Sequence, residues 1–318
     1  MTRISHHYRE ALPQLGAKEF ITDGGLETVF VFQKNIDLPL FAAISLINSE
    51  AGMAALKGYY LPYIDLARTH QAGIILDTPT WRASTGWGRQ LGYSAEKVRN
   101  LNRLSVAMLV DIREKHATEA SPMVINGVVG PEGDGYNPTE ILSAGAAEEY
   151  HRHQVEAFAD TAADMVTAVT IPYVDEAIGI ARAAKKASIP VAISFTVETD
   201  GSLPDGTALR DAINKVDEAT GAAPAYYMIN CAHPSHFMDV LQQDSTWTDR
   251  IYGIRANAST KSHAELDEAV ELDDGDPIAF GQLYAELKCR LRNLRIVGGC
   301  CGTDHRHVGE VCKNLMAA

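Results

Sequence analysis

The sequence predicts one (β/α)8 TIM barrel, a single domain over residues 1–318, and two observations carry that prediction. Short apolar runs without polar alternation recur eight times, each followed by a helical stretch. That is the pattern of a parallel sheet covered on both faces. The residues just past those runs are polar, glycine or cysteine, as the catalytic rim of a barrel requires and its packed interior does not. Eight such units in 318 residues fit a fold of about 250 residues with insertions. A doubly wound open sheet is the alternative. Against it, no Gly-x-Gly-x-x-Gly follows the first run, where a dinucleotide fold carries one.

The first strand is expected at 20–22, ahead of Asp23-Gly24-Gly25. A helical stretch at 48–71 follows, with Leu56, Tyr60, Ile64 and Ala67 spaced along one face. Strand 73–76 runs into Asp77-Thr78-Pro79-Thr80-Trp81. Ser94 is the expected N-cap of helix 94–117, whose apolar positions are Val98, Leu101, Leu104, Met108 and Ile112. Strand 123–129 closes on Gly130-Pro131 and leads to helix 146–163. Strand 164–168, helix 172–187, strand 191–195, helix 208–219 and strand 226–230 continue the alternation. A short helix at 236–242, strand 251–255, helix 277–291, strand 295–297 and a last helix at 303–316 complete it. The expected rim is therefore Asp23, Asp77-Thr78, Gly130-Pro131, Thr170, residues 196–198, Cys231, Asn257 and Cys300-Cys301.

Hydrophobic residues make up 46% and charged residues 22% of the chain, enough for a large core and a soluble surface. A net charge of −13 argues against a nucleic-acid surface, which needs concentrated Lys and Arg. Residues 1–18 are polar without a signal-peptide core, and no membrane-length apolar run follows. Five cysteines in a chain of this size are not a disulfide framework, so a reducing cytoplasm is the expected location.

Cys231 stands in Met228-Ile229-Asn230-Cys231-Ala232-His233-Pro234, and two more cysteines in Val297-Gly298-Gly299-Cys300-Cys301-Gly302-Thr303. Three thiolates brought together past two strands would leave zinc (Zn2+) one open coordination position, the arrangement of a catalytic rather than a structural site. On spacing alone, inert or redox-labile thiols remain the competing reading. His151-Arg152-His153 and His305-Arg306-His307 fall on helices at i and i+2, where side chains diverge, so a helix-start role suits the second pair better than a metal. Cys289 and Cys312 are expected to pack within helices. Asp273-Asp274-Gly275-Asp276 reads as a solvated turn lacking the Glu of a calcium loop.

Almost end to end, these motifs resemble the homocysteine S-methyltransferase family, with its betaine-homocysteine and S-methylmethionine branches. Asp23-Gly24-Gly25-Leu26-Glu27-Thr28 is similar to the family's first-strand motif and Thr78-Pro79-Thr80-Trp81-Arg82-Ala83-Ser84 to its second; Gly130-Pro131 matches the third. Ile171-Pro172 with Glu176-Ala177, Ile193-Ser194-Phe195 and Asp205-Gly206-Thr207 resemble the fourth and fifth segments. Ile229-Asn230-Cys231 and Gly298-Gly299-Cys300-Cys301-Gly302-Thr303 are the most specific. The resemblance implies a (β/α)8 barrel with zinc held by Cys231, Cys300 and Cys301. It also implies methyl transfer from a small sulfonium or quaternary ammonium donor, such as S-methylmethionine or betaine, to the sulfur of homocysteine, giving methionine. In the matching motifs, Asp23, Gly24, Gly25, Thr78, Trp81 and Asn230 are the expected substrate residues.

The chemistry is coherent with those residues. A free thiol near pKa 8.5 is mostly protonated at neutral pH, and zinc as a Lewis acid overcomes that. Aromatic faces hold a cationic donor at roughly 0.5–2 kcal/mol per contact. Trp81, Trp87, Tyr136 and Tyr173 lie in or near the expected rim, and Trp81 directly follows a strand.

One departure stands out. Where the family carries a Glu before Thr-Ile-Pro, this chain has Val169-Thr170-Ile171-Pro172. The resemblance pairs that Glu with Asp23 in holding the amino group of homocysteine, so Glu198 or Glu132 is expected to replace the lost charge, Glu198 first. A thiol other than homocysteine is the alternative acceptor; a metal-dependent hydrolase and a cysteine redox sensor are the alternatives from other classes. The chain ends at Ala318 without a counterpart of the C-terminal extension that supports oligomers in the betaine branch, and oligomeric state stays open.

Overall fold

Eight short strands buried on both faces can satisfy every backbone group only by closing on themselves. They are β1 (Phe20–Ile21), β2 (Gly73–Asp77), β3 (Met123–Val129), β4 (Met165–Ile171), β5 (Val191–Phe195), β6 (Tyr226–Asn230), β7 (Ile251–Ala256) and β8 (Ile296–Gly299). In the computed structural model, which describes residues 6–241, 246–269 and 271–316, they form a closed parallel barrel in sequence order. Phe20 sits opposite Gly73 on one side and Ile296 on the other. Only β7 departs from full burial, at Tyr252 and Arg255.

The surrounding helices are α1 (Glu50–Thr69), α2 (Ala95–His116), α3 (Ala144–Ala159), α4 (Val174–Lys186), α5 (Leu209–Thr220), α6 (Pro234–Phe237), α7 (Pro277–Arg290) and α8 (His305–Leu315). Their starts are chemically marked. Ser49, Ser94 and Ser143 cap α1, α2 and α3 through their hydroxyls. Asp276 caps α7 ahead of Pro277, and Asp304 with His307 forms a reciprocal cap on α8. That is the helix-start role expected of the second histidine pair. Gly221, left-handed at φ 66°, ends α5.

Three element ends differ from the sequence expectation by three residues or more. β4 runs on to Ile171, with a register shift against β5 between Ala168 and Ile171 and Thr170 at φ 60°. The sixth helix is a single turn, Pro234–Phe237, continued by a 3-10 turn at Met238–Val240; Gln242, its expected end, lies outside the described residues. Helix α3 stops at Ala159 rather than 163, where Arg9 takes the carbonyls of Ala159, Thr161 and Ala163.

These Arg9 contacts belong to a seal on the N-terminal end of the barrel. Phe20, Ile75, Val124, Met165, Tyr226, Met228 and Ile296 pack inside it as one apolar plug. Gln14, fully buried, lies over that plug, donating toward Met165 Sδ and Tyr226 Oη. Asp164 pairs with Arg113 at 2.7 Å and accepts the His7, Tyr8 and Ile125 amides. The open end is the other one. Among the described residues no helix is long and apolar enough to cross a membrane.

Candidate active site

Two loops at the open mouth bring the sulfurs together. Cys231 directly follows β6 at φ 56°, a conformation costly for any residue but glycine. It is locked there: its N–H donates to Arg255 O at 3.1 Å, and its carbonyl accepts from Asn257 Nδ2 at 2.9 Å and His263 Nε2 at 2.7 Å. On the other side β8 ends in Gly298-Gly299. A Cβ on Gly299 would stand 1.9 Å from Thr303 Oγ1, so only glycine lets the Cys300-Cys301 turn close. The Sγ atoms of Cys231, Cys300 and Cys301 all lie within 4.8 Å of one another. Cys231 and Cys300 are joined as a disulfide, and Cys301 Sγ is 3.9 Å from Cys231 Sγ.

Reduced, this trio suits a metal. Zinc–sulfur bonds of about 2.3 Å at tetrahedral angles put sulfurs about 3.8 Å apart, close to the Cys231–Cys301 spacing. Tyr136 Oη lies 3.3 Å from Cys231 Sγ, and Asn230 Nδ2 is 3.9 Å from Cys300 Sγ. Among the described residues this is the one cluster of metal-ligating side chains found, and it contains no His or carboxylate. Gly25 backs it, since a Cβ there would meet the Cys300 carbonyl at 2.5 Å. Gly25→Ala is therefore expected to push the Cys300 loop away and lower metal content while the barrel stays folded. Metal analysis beside far-UV circular dichroism checks this, and a variant with full metal would show that the loop can give way.

A cavity of about 400 Å³ opens above the sulfurs. Asp23, Gly24, Gly25, Thr78, Trp81 and Asn230 all line it, as expected, and so does Val169. Several are already engaged. Asn230 accepts from Thr170 N at 2.9 Å and Ser194 Oγ at 2.6 Å and donates to Thr170 Oγ1 at 2.8 Å, clamping the β4 irregularity. Thr78 Oγ1 accepts the Val128 amide at 2.9 Å. The Arg82 guanidinium stands 4.8 Å over Trp81 and 4.2 Å over Trp87, so part of the Trp81 surface is already spent on a cation.

Glu198 does not line the cavity; its carboxylate lies 3.3 Å from His263 Nδ1. Glu132 is also outside, its amide donating to Glu176. Trp87 Nε1 is tied to the Pro131 carbonyl and the Tyr173 hydroxyl accepts the Leu142 amide, so of the four aromatic candidates only Trp81 and Tyr136 reach the cavity. The acidic turn is solvated as expected, with Gly275 and Asp276 exposed, and is also tied down: Asp273 lines the cavity and accepts from Ser259 Oγ at 2.7 Å. Cys289, expected to pack, is exposed, whereas Cys312 is buried and its thiol pushed up to about 12 by that burial.

Sequence reasoning missed Arg255. From β7 it reaches across the mouth, donating to Asp23 Oδ1 at 2.5 Å, to Asp77 and to the Gly299 carbonyl at 3.1 Å. Asp23 accepts a second bond from Tyr59 Oη at 3.0 Å. Burial pushes the Asp23 carboxyl up to about 6 despite the opposing pull of Arg255. The signal was a lone charge ending an apolar strand, Ile251-Tyr252-Gly253-Ile254-Arg255. Glu27, quoted above only within its motif, also lines the cavity, and burial pushes its carboxyl up to about 7.

A closed (β/α)8 barrel carrying three convergent thiols at its C-terminal mouth defines a thiol-centred barrel protein. Residues 20–315 match the family model described as Homocysteine S-methyltransferase, and the chain belongs to that methyltransferase family. Homocysteine S-methyltransferase YbgG of Bacillus subtilis (strain 168) is 24% identical over 69% of this chain and 72% of its own. Selenocysteine Se-methyltransferase of Brassica oleracea var. italica is 23% identical over 97% and 92%. The homocysteine methyltransferase MmuM from Escherichia coli shares the fold at 20% identity. Its oxidized form superposes with a TM-score of 0.75 over 96% of this chain and 99% of that one, and its metallated form with 0.72 over 93% and 96%.

Proposed function

We propose that this chain moves a methyl group from a small onium donor, such as S-methylmethionine or betaine, to a thiol, homocysteine first among them, giving methionine. Zinc is held by Cys231, Cys300 and Cys301. The observation that carries this reading is the all-thiol cluster on the wall of the cavity in a member of this family. When bound, zinc supplies Lewis acidity that keeps an acceptor thiol ionised near neutral pH. The hydrolase alternative loses ground because the cluster contains neither His nor carboxylate. The three-thiolate form requires a reducing compartment, which fits the cytoplasm.

The chain's own residues do the rest. The glycines and the backbone bonds of Cys231 fix the sulfurs; the Tyr136 hydroxyl and the Asn230 amide stabilise negative charge on two of them. Tyr136 and the unshielded part of Trp81 offer aromatic surface to the donor. Aligned with reacting atoms about 3–3.5 Å apart, the acceptor sulfur's lone pair forms the new S–C bond. The old bond's electron pair stays on the donor heteroatom, which becomes neutral.

The test is a donor-by-acceptor screen on reduced, zinc-loaded protein, read by mass spectrometry for a methylated thiol. Methylated homocysteine with at least one onium donor is the expected result. No methylated thiol or selenol from any pair would end this reading. Protein purified without metal, yet fully active, would end the zinc assignment alone.

A further inference from the structure

We infer that Glu27 holds the ammonium group of an α-amino thiol acceptor and so determines which thiol the pocket prefers. The inference takes its ligand class from the thiol-methylation reading above. Place is the first observation. Glu27 lines the cavity on a segment anchored against the sulfur-bearing loop. Gly25 N donates to Thr303 O at 3.0 Å, and Gly302 N donates to Thr28 Oγ1 at 3.3 Å.

The second observation is vacancy. Among the described residues the Glu27 carboxylate takes a hydrogen bond from its own backbone amide and has no side-chain hydrogen-bond or ion-pair partner. The other carboxylates of the cavity are occupied or lie in water. Asp23 is bound by Arg255 and Tyr59, Asp77 by Arg255 and the Asn126 amide, and Asp273 by Ser259. Glu271 is exposed. Val169 offers no charge, and Glu198 lies outside with His263.

The third consideration is chemical. A carboxylate whose remaining acceptor sites are open is matched by N–H donors, which give short charge-assisted bonds. A methyl-onium has no such donor and, by covering the half-buried carboxylate, would leave those lone pairs unpaired. It is better served by aromatic faces. Burial has already pushed the Glu27 carboxyl up, and an arriving ammonium offsets that cost by favouring the ionised form.

Isothermal titration of the zinc-loaded, reduced full chain without methyl donor tests this. The probes are homocysteine and 4-sulfanylbutanoate, which keeps the thiol and carboxylate but lacks the amino group. The wild type is expected to bind homocysteine at least about 10-fold more tightly, the scale of one hydrogen bond to a charged group. Glu27→Gln should erase that preference while 4-sulfanylbutanoate binding stays within about twofold, and Glu27→Asp should restore part of it. A Glu27→Gln protein that keeps the preference, one that weakens both thiols equally, or a wild type without preference overturns the assignment. Methylation assays run alongside separate the two ideas. A wild type that methylates both thiols equally well sinks the Glu27 role alone. One that binds homocysteine selectively yet methylates nothing sinks the methyl-transfer reading alone.

Discussion

Replacing Cys300 with alanine is expected to strip the protein of zinc and of methyl transfer together while leaving the barrel folded. Cys300 contributes to the fold through its backbone: its N–H donates to Ala256 O at 2.8 Å, and its carbonyl accepts from Thr303 N and Thr303 Oγ1. Alanine keeps all three bonds, so only the sulfur is lost. With two thiolates left, a third coordination position must be filled from water, and Cys289 and Cys312 lie outside the cluster. Losing an outer-sphere partner of a metal ligand costs roughly 10–100-fold in affinity or activity, and losing a ligand should cost more. Metal content per chain, far-UV circular dichroism and initial rates are the measurements. A Cys300→Ala protein that retained one zinc per chain would refute the assignment.

Arg255→Met should produce the second large effect, on stability. The guanidinium is 12% exposed and lies between two carboxylates that are 5% and 8% exposed. Removing one partner of a buried ion pair typically costs about 3–5 kcal/mol, because the remaining charge stays buried. The loss should depend on pH, with a definite sign. The Asp23 carboxyl sits at about 6 against an ordinary 3.8, raised by burial and lowered by Arg255. Without Arg255 it rises further, so the folded state holds a proton that the unfolded state has released. Stability is then retained below the ordinary value of 3.8, lost as pH climbs from there to the folded value, and level above it. Urea unfolding at pH 5.5 and 8 should show the larger deficit at pH 8; equal deficits would mean that packing, not charge, is what Arg255 supplies.

The barrel was legible because a parallel sheet under helices leaves a local trace: eight apolar runs, most of them answered by a 3.6-residue pattern and often by a capping serine or aspartate. Cys231 and Cys300-Cys301 were legible for a related reason, since each follows such a run and the topology alone then gathers them. Arg255 was not, because its meaning lies in partners 232 and 178 residues away, and no local pattern announces a pairing across a barrel mouth. On the sequence pattern, Val169-Thr170-Ile171 fall just past a strand ending at Ala168. Asn230 holds Thr170 in its left-handed turn from 60 residues away, and the strand continues. Glu198 followed the right strand, yet its side chain is beside His263, a choice made by loop packing that strand order does not encode.

The sealed end of the barrel has a consequence for the order of events during turnover. With Gln14, Tyr226 and the Arg113–Asp164 pair closing one end, every molecule that reaches the sulfurs passes through the same mouth. On the proposed chemistry the acceptor occupies the deeper position, against the thiols, and the donor the shallower one. A donor already seated would obstruct the acceptor's path, and the demethylated donor must leave before the methylated thiol can follow. Steady-state kinetics should accordingly be sequential with thiol first on and thioether last off. The thioether should compete with the thiol but not with the donor.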